Sequence, residues 1–323
     1  MQTELASWIR GTPDGDVAEE ILRRCVHCGF CQATCPTYQE LGDELDSPRG
    51  RIYLIKQVLE GAEPTSSTQL HLDRCLTCRN CETTCPSGVE YGKLVDIGRA
   101  VVAKKVERPL SERLLRASLR HGLNSPLFAP AMALARRVRP LLPKVLKDKV
   151  PLQQPSRPLP QNAERHERKV IMLQGCVQPA MMPSIDEATI RVLDAVGVSV
   201  KMMAGAGCCG AINLHLDAQD RAHAQMKANI DAWWPVIERG EAECVVANAS
   251  GCGAMLREYA HHLRDDPAYA ERARALSESV RDISELLAPH GGELGRRIAP
   301  LVGRYAFHPP CTLQHWQKLR GVT

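Results

Sequence analysis

No uninterrupted apolar run in this chain approaches the roughly 20 residues that a membrane-spanning helix needs. The opening residues, MQTELASWIRGTPDGD, lack the apolar core of a signal peptide. Neither a G-x-G-x-x-G dinucleotide fingerprint nor a phosphate loop is read in this chain, and no nucleotide site is expected on it. The net charge of +4 is mild, and no nucleic-acid partner is expected. A cytoplasmic address is the simplest expectation. At 323 residues with 44% hydrophobic content, the chain has room for two or three globular domains.

Cysteine is abundant instead, at 14 residues. Thiol pools in the cytoplasm keep such pairs reduced, so metal ligation or redox chemistry is expected in place of disulfides. The run CVHCGFCQATCP, Cys25 to Pro36, recurs as CLTCRNCETTCP, Cys75 to Pro86, offset by 50 residues at every cysteine. Duplication explains this repeat. Each run reads C-x2-C-x2-C-x3-C-P, the spacing that presents three thiolates to one 4Fe-4S cubane while the fourth ligates the neighbouring cluster. The expected ligand sets are therefore Cys25, Cys28, Cys31 and Cys85 for one cluster and Cys75, Cys78, Cys81 and Cys35 for the other. Structural zinc usually takes two C-x2-C pairs and has no use for the third cysteine or the C-x3-C-P ending.

Around these runs the expected fold is a helical two-cluster ferredoxin domain over residues 1–104. Ser47 and Pro48, followed by RGRIYLIKQVLE and Gly61, carry a cap, a first-turn proline and a terminating glycine, with Ile52, Ile55 and Leu59 on one face. A second helix is expected through Leu94, Ile97 and Val101. Residues 105–168 read as a basic, proline-rich helical linker containing Pro140, Pro143, Pro151, Pro155, Pro158 and Pro160. From residue 169 the pattern alternates. Strands are expected at VIML from Val170, at Val198 to Met202 and at Cys244 to Ala247, with helices over Ser184 to Ala195, Asp217 to Arg239 and Ala254 to Leu263. This predicts an α/β module with a largely parallel sheet over 169–299, so the class is α+β multidomain.

Cys176, the vicinal pair Cys208-Cys209 and Cys252 each follow an expected strand and precede an expected helix. Such positions converge beyond the carboxyl ends of parallel strands, where a metal cluster or a reactive thiol site can form. Gly205, Gly207 and Gly210 would allow close backbone approach, although a plain turn has the same composition. Cys244 lies within its strand and reads as a small buried hydrophobe.

The stretch from Lys104 to Lys149 holds 12 Lys or Arg against Glu107, Glu112 and Asp148, interleaved with Leu114, Leu115, Leu119, Phe128, Leu134, Leu141 and Leu142. Its default reading is a solvated or partner-facing surface. A peripheral membrane contact involving Arg136, Arg137 and Arg139 is the sharper alternative. His215, His308 and His315 lie near cysteine-rich segments and read as structural hydrogen-bonding residues. Trp233 and Trp234 are expected in a core or at a subunit contact.

Beyond the cysteine spacing, the stretches RCVHCGFCQATCPTYQELGDELDSPRGRIYLIKQVLEG, HLDRCLTCRNCETTCPSGV, AGCCGAINLHL, NIDAWWPVIE and FHPPCTLQHWQKL resemble the iron-sulfur subunits of glycolate oxidase (glycolate dehydrogenase) nearly end to end. The resemblance implies two ferredoxin clusters followed by cysteine-rich modules named for their C-C-G signature. It implies a candidate third site at Cys176, Cys208, Cys209 and Cys252. It also implies an electron-transfer role, with FAD only on partner subunits that oxidise glycolate to glyoxylate, and a quinone or another acceptor beyond. Relatives serving lactate or glycerol-3-phosphate oxidation, and a heterodisulfide-reductase-like thiol-disulfide reductase, are the alternatives. Two departures stand out. Ala249 occupies a position where heterodisulfide reductase modules have the first cysteine of C-x2-C. Residues 300–323, with Cys311, look like the start of a second module that is truncated at Thr323.

Overall fold

The computed structural model describes residues 1–152, 158–159, 165–299 and 302–321. The prolines expected to form an extended linker at 155 and 160, and the terminal Thr323, lie outside the described residues. The chain divides into two compact units, Met1–Leu114 with Pro309–Leu319, and Leu115–His308 with Arg320–Thr323.

The first unit is helical. Thr12 caps α1 (Pro13–Arg24) by accepting from the Gly15 amide, Pro13 starts the first turn, and Asp14 and Asp16 complement the positive end of the helix dipole. Helix α2 (Pro36–Leu41) begins directly after Cys35 and stops at Gly42, whose left-handed φ of 68° ends the helix. Ser47 caps α3 (Pro48–Leu59), as its Ser-Pro opening predicts, and Ile52, Ile55 and Leu59 are buried. Thr65 and Thr68 form a reciprocal capping box at the start of α4 (Ser66–Asp73). Helix α5 (Asn80–Thr84) follows within the second cysteine run, and α6 (Tyr91–Lys105) buries Leu94, Val95 and Ile97 against α1, α3 and α4. Gly98 permits the close approach of α3 and α6, since a Cβ there would stand 2.6 Å from Ile55 Cγ1.

A charged network lies inside this apolar unit. Asp46 is fully buried and meets Arg51 at 3.1 Å, Arg74 at 2.9 Å and His71 Nδ1 at 3.1 Å. Arg51, itself buried, also donates to the His71 carbonyl (2.7 Å) and to Thr37 Oγ1 (3.0 Å). Burial alone would push the Asp46 carboxyl up, but hydrogen bonds from His71 and Arg74 outweigh it and hold the group below its ordinary range.

The second unit carries exposed leucines on α7 (Leu110–Leu123), which begins before its boundary, and around α8 (Phe128–Arg137) and α9 (Lys144–Lys147). Its centre is a four-stranded sheet, all parallel, in the order β2-β1-β3-β4. The strands are β1 (Arg168–Met172), β2 (Val198–Lys201), β3 (Val245–Ala247) and β4 (Val280–Asp282). Alternation sends Ile171, Val245 and Ala247 to one core and Val170, Met172 and Val246 to the other, so both faces are buried, as parallel sheets require. Strand β4 is absent from the sequence expectation because Val-Arg-Asp is too short and too charged to show a period; its Arg281 faces solvent beside a buried Val280 and Asp282.

Helices α10 (Gln178–Met181) and α11 (Pro183–Ala195) follow β1, and α12 (Ala211–His215) and α13 (Gln219–Glu238) follow β2. Trp233 on α13 is wholly buried. The helix expected over Ala254 to Leu263 is instead two, α14 (Ser250–Leu256) and α15 (Tyr259–His262), and the break sets Tyr259 in the core. Helix α16 (Ala270–Ser279) packs against α13 and α15. The class is thus a helical ferredoxin-type unit and an α/β unit with a parallel sheet.

Candidate metal centres

The two cysteine loops owe their curl to left-handed residues at alternate positions, His27 and Gly29 in the first and Thr77 and Arg79 in the second. Such alternation turns amides and thiols toward one side, and the Thr77 amide donates to Cys75 Sγ at 3.4 Å. Cys25, Cys35 and Cys81 are buried and Cys28 is exposed. Burial, and then the neighbouring Cys25, pushes the Cys31 thiol up to about 11. Burial likewise raises Cys25, whose sulfur neighbours are Cys85 and Cys28, and Cys78, whose sulfur neighbours include Cys75 and Cys35. Cys81 rises chiefly through burial and then through Cys75, the Glu82 carboxylate, Cys78 and Cys31.

The last cysteine of each run acts on thiols of the other: Cys85 raises Cys25 and Cys31, and Cys35 raises Cys78. Neighbouring thiols, some of them buried, resist ionising together unless a strong positive charge lies among them. That donor chemistry fits iron. Further contacts reach the sulfurs: Tyr91 OH donates to Cys75 Sγ at 3.5 Å, and Cys35 Sγ lies 3.2 Å from Thr37 Oγ1. Through Thr37 and Arg51, the Asp46 network braces the Cys35 loop. Asp43, Asp46 and His71 are close enough to suggest a separate metal, but Arg51 and Arg74 already neutralise Asp46.

In the second unit, loops after β1, β2 and β3 bring Cys176, Cys208, Cys209 and Cys252 into one hydrogen-bonded sulfur chain. Cys252 lies in the first turn of α14 and not ahead of it. The Cys176 thiol donates to Cys208, and this, aided by Cys209, draws Cys208 well below the ordinary thiol range while raising Cys176. Beneath the loop, Asn229 accepts from the Gly207 amide (2.8 Å) and donates to the Cys208 carbonyl (2.9 Å) and to Tyr259 OH (2.9 Å). Tyr259 OH in turn donates to the Cys209 carbonyl at 2.9 Å. A cleft of about 580 Å³ opens beside the sulfurs, with Phe128, Gln174, Met202 and Gln225 among its walls.

Contrary to the expectation that no dinucleotide fingerprint is present, Gly205, Gly207 and Gly210 do satisfy the G-x-G-x-x-G spacing, after a strand and before a helix. The local geometry assigns the run to the thiols. The Gly207 amide is given to Asn229, the Gly210 amide points to Cys208 Sγ at 3.5 Å, and the helix that follows, α12, has five residues.

Cys244 is buried in the core beneath β3, apart from this sulfur set. His308 is exposed, and His315 Nδ1 lies 3.1 Å from Thr83 Oγ1. Cys311 stands close enough to Cys78 to raise its thiol further, so Pro309–Leu319 belongs with the ferredoxin unit. The sequence reading passed over Asp46, Arg51, Tyr91, Asn229 and Tyr259, whose roles depend on contacts distant in the chain. It also passed over Arg79, although aligning the repeat sets that arginine against Gly29.

Residues 21–89 match the model of the 4Fe-4S dicluster domain, and residues 170–257 match that of the cysteine-rich domain. The chain is 53% identical to the protein named "Glycolate oxidase iron-sulfur subunit" of Escherichia coli (strain K12), over 99% of this chain and 78% of that protein. It is 34% identical to the "Probable glycolate oxidase iron-sulfur subunit" of Bacillus subtilis (strain 168), over 82% of this chain and 65% of that one. A "Lactate utilization protein A" of Bacillus pumilus is 28% identical over 47% of this chain and 61% of its own length. No solved structure matches the chain.

Proposed function

This chain belongs to the family of glycolate oxidase iron-sulfur subunits, and we propose that it carries electrons from a flavin-containing partner that oxidises glycolate to glyoxylate toward a quinone or another acceptor. The observation that supports the reading is that the last cysteine of each run acts on thiols of the other run, Cys85 on Cys25 and Cys31 and Cys35 on Cys78. Cys25, Cys28, Cys31 and Cys85 hold one 4Fe-4S cluster, and Cys75, Cys78, Cys81 and Cys35 hold the other. When bound, these clusters supply one-electron carriers to a reaction that begins as two-electron flavin chemistry. The chain's own cysteines deprotonate to receive iron, and Cys25 and Cys81 set it against the apolar core of the first unit.

Cys176, Cys208, Cys209 and Cys252 form a third, weaker candidate, since Ala249 withholds a fifth thiol from that set. Iron and sulfide quantification of the anaerobically purified chain tests the assignment. About eight irons per chain supports two cubanes alone, and more than eight adds a centre in the cysteine-rich unit. For the substrate, the protein co-purified with its partners is assayed by dye reduction with glycolate, lactate and glycerol-3-phosphate. Faster turnover of either rival overturns the glycolate reading.

A peripheral membrane contact is the second reading. It is supported by the exposure of Leu115, Leu127, Leu134 and Leu141 on a basic stretch. No described helix is long and apolar enough to cross a membrane. Arg136 and Arg139 are committed to the Ala180, Met181 and Val150 carbonyls, so charge reversal there would disturb the fold as well as the surface. Substituting Leu127→Ser together with Leu141→Ser and measuring flotation with anionic vesicles isolates the surface. Unchanged flotation defeats this reading.

A further inference from the structure

The two cysteine loops are near copies, yet one position breaks the copy in an unfavourable direction. Gly29, at φ 84°, corresponds to Arg79, at φ 57° between Cys78 and Cys81. A residue with a side chain is strained in this left-handed region, where glycine is not. The strained arginine is nonetheless only 7% exposed, and its surroundings are shaped to hold it. Its guanidinium lies 3.7 Å over the Trp316 ring. Gly92 also lies against it, and any Cβ there would come within 2.3 Å of Arg79 Nε. Glu82 lies 3.9 Å from the same nitrogen and accepts from the Gly92 amide at 2.6 Å, so its carboxylate is shared with the backbone.

The segment that supplies Trp316 is anchored at further points in the same unit. His315 meets Thr83, and Cys311 stands beside Cys78. A buried, permanently charged guanidinium on the residue that follows Cys78 in the chain, held by an aromatic face, has an electrostatic consequence. Reducing a four-thiolate cubane adds one electron, and therefore one negative charge, with no bond broken. A nearby cation shielded from water stabilises that more negative form.

We infer that Arg79, held against Gly92 and the Trp316 ring, is a positioning charge that favours the reduced state of the cluster held by Cys75, Cys78, Cys81 and Cys35, and that residues 309–319 are part of that cluster's site. The inference rests on the proposed ligand set. It makes two nearly identical loops electronically unequal and ties one of them to a segment more than 200 residues away in sequence.

The test is a mediated redox titration of the full chain, followed by EPR, after iron and sulfide confirm loading. In Arg79→Gln the reduced-to-oxidised ratio of one cluster at a fixed potential falls by about tenfold, and the other cluster is unmoved. Arg79→Lys, which keeps the charge, retains most of the native ratio; a purely structural arginine would not be rescued in this way. Trp316→Leu shifts the same cluster in the same direction by less. If Arg79→Gln fails to load its clusters, Trp316→Leu decides. Loaded clusters with unmoved ratios in the variants overturn the inference. Fewer than eight irons in the native protein would instead overturn the ligand assignment beneath it.

Discussion

Replacing Asp46 by alanine removes the centre of the charged network beneath the Cys35 loop. The carboxylate is wholly buried and its partner Arg51 is 1% exposed, so the substitution leaves a desolvated guanidinium without its counter-charge. Breaking one side of a buried pair costs about 3–5 kcal/mol. Arg51 retains the His71 carbonyl and Thr37 Oγ1, and Arg74, 41% exposed, can turn to water, so the cost belongs at the lower end, about 3 kcal/mol. Anaerobic urea unfolding of the loaded protein, followed by cluster absorbance to isolate the first unit, measures it. A loss below about 1 kcal/mol would refute the account, because it would mean that the pair is hydrated or dispensable. Joint replacement of Asp46→Leu with Arg51→Met should recover much of the loss, since an apolar pair carries no desolvation cost. The network also fixes a pH dependence. The folded carboxyl is held below its unfolded value, so its contribution is complete above about pH 4 and drains away as pH falls through the lower folded value.

Other perturbations follow from packing and polar contacts. Gly98→Val drives a side chain into Ile55 and should destabilise the first unit by about 1–3 kcal/mol in the same unfolding assay. Trp233→Ala empties the centre of the α/β core at a cost of about 3–5 kcal/mol, read from the transition of the second unit by circular dichroism. Asn229→Leu strands the Gly207 amide and the Cys208 carbonyl, each worth about 1–3 kcal/mol, and should lower the thermal midpoint of that unit while leaving the cluster absorbance of the first unchanged.

Local signals made much of this protein readable. The duplicated C-x2-C-x2-C-x3-C-P runs carry their chemistry in the spacing itself, and the Ser47-Pro48 opening and the apolar face of α3 announce a helix wherever they occur. Strands β1, β2 and β3 were legible as short β-branched runs between helical periods. Strand β4 was not, because its three residues acquire strand geometry only by pairing with β3. The glycine run at 205–210 shows the hazard of spacing alone. Its letters suit a pyrophosphate loop, and only the partners of the Gly207 and Gly210 amides assign it to the sulfurs.

By itself, then, the order of residues determined the helical and α/β halves and the family and pointed to the cysteine ligands and their crossed sets, since all of these reside in near-neighbour patterns. Tertiary structure alone decided how Asp46 is neutralised and that Trp316 lies against Arg79. Each of these depends on groups tens to hundreds of residues apart meeting where water is excluded, and there a single charge or hydrogen bond acts at the strength that burial confers.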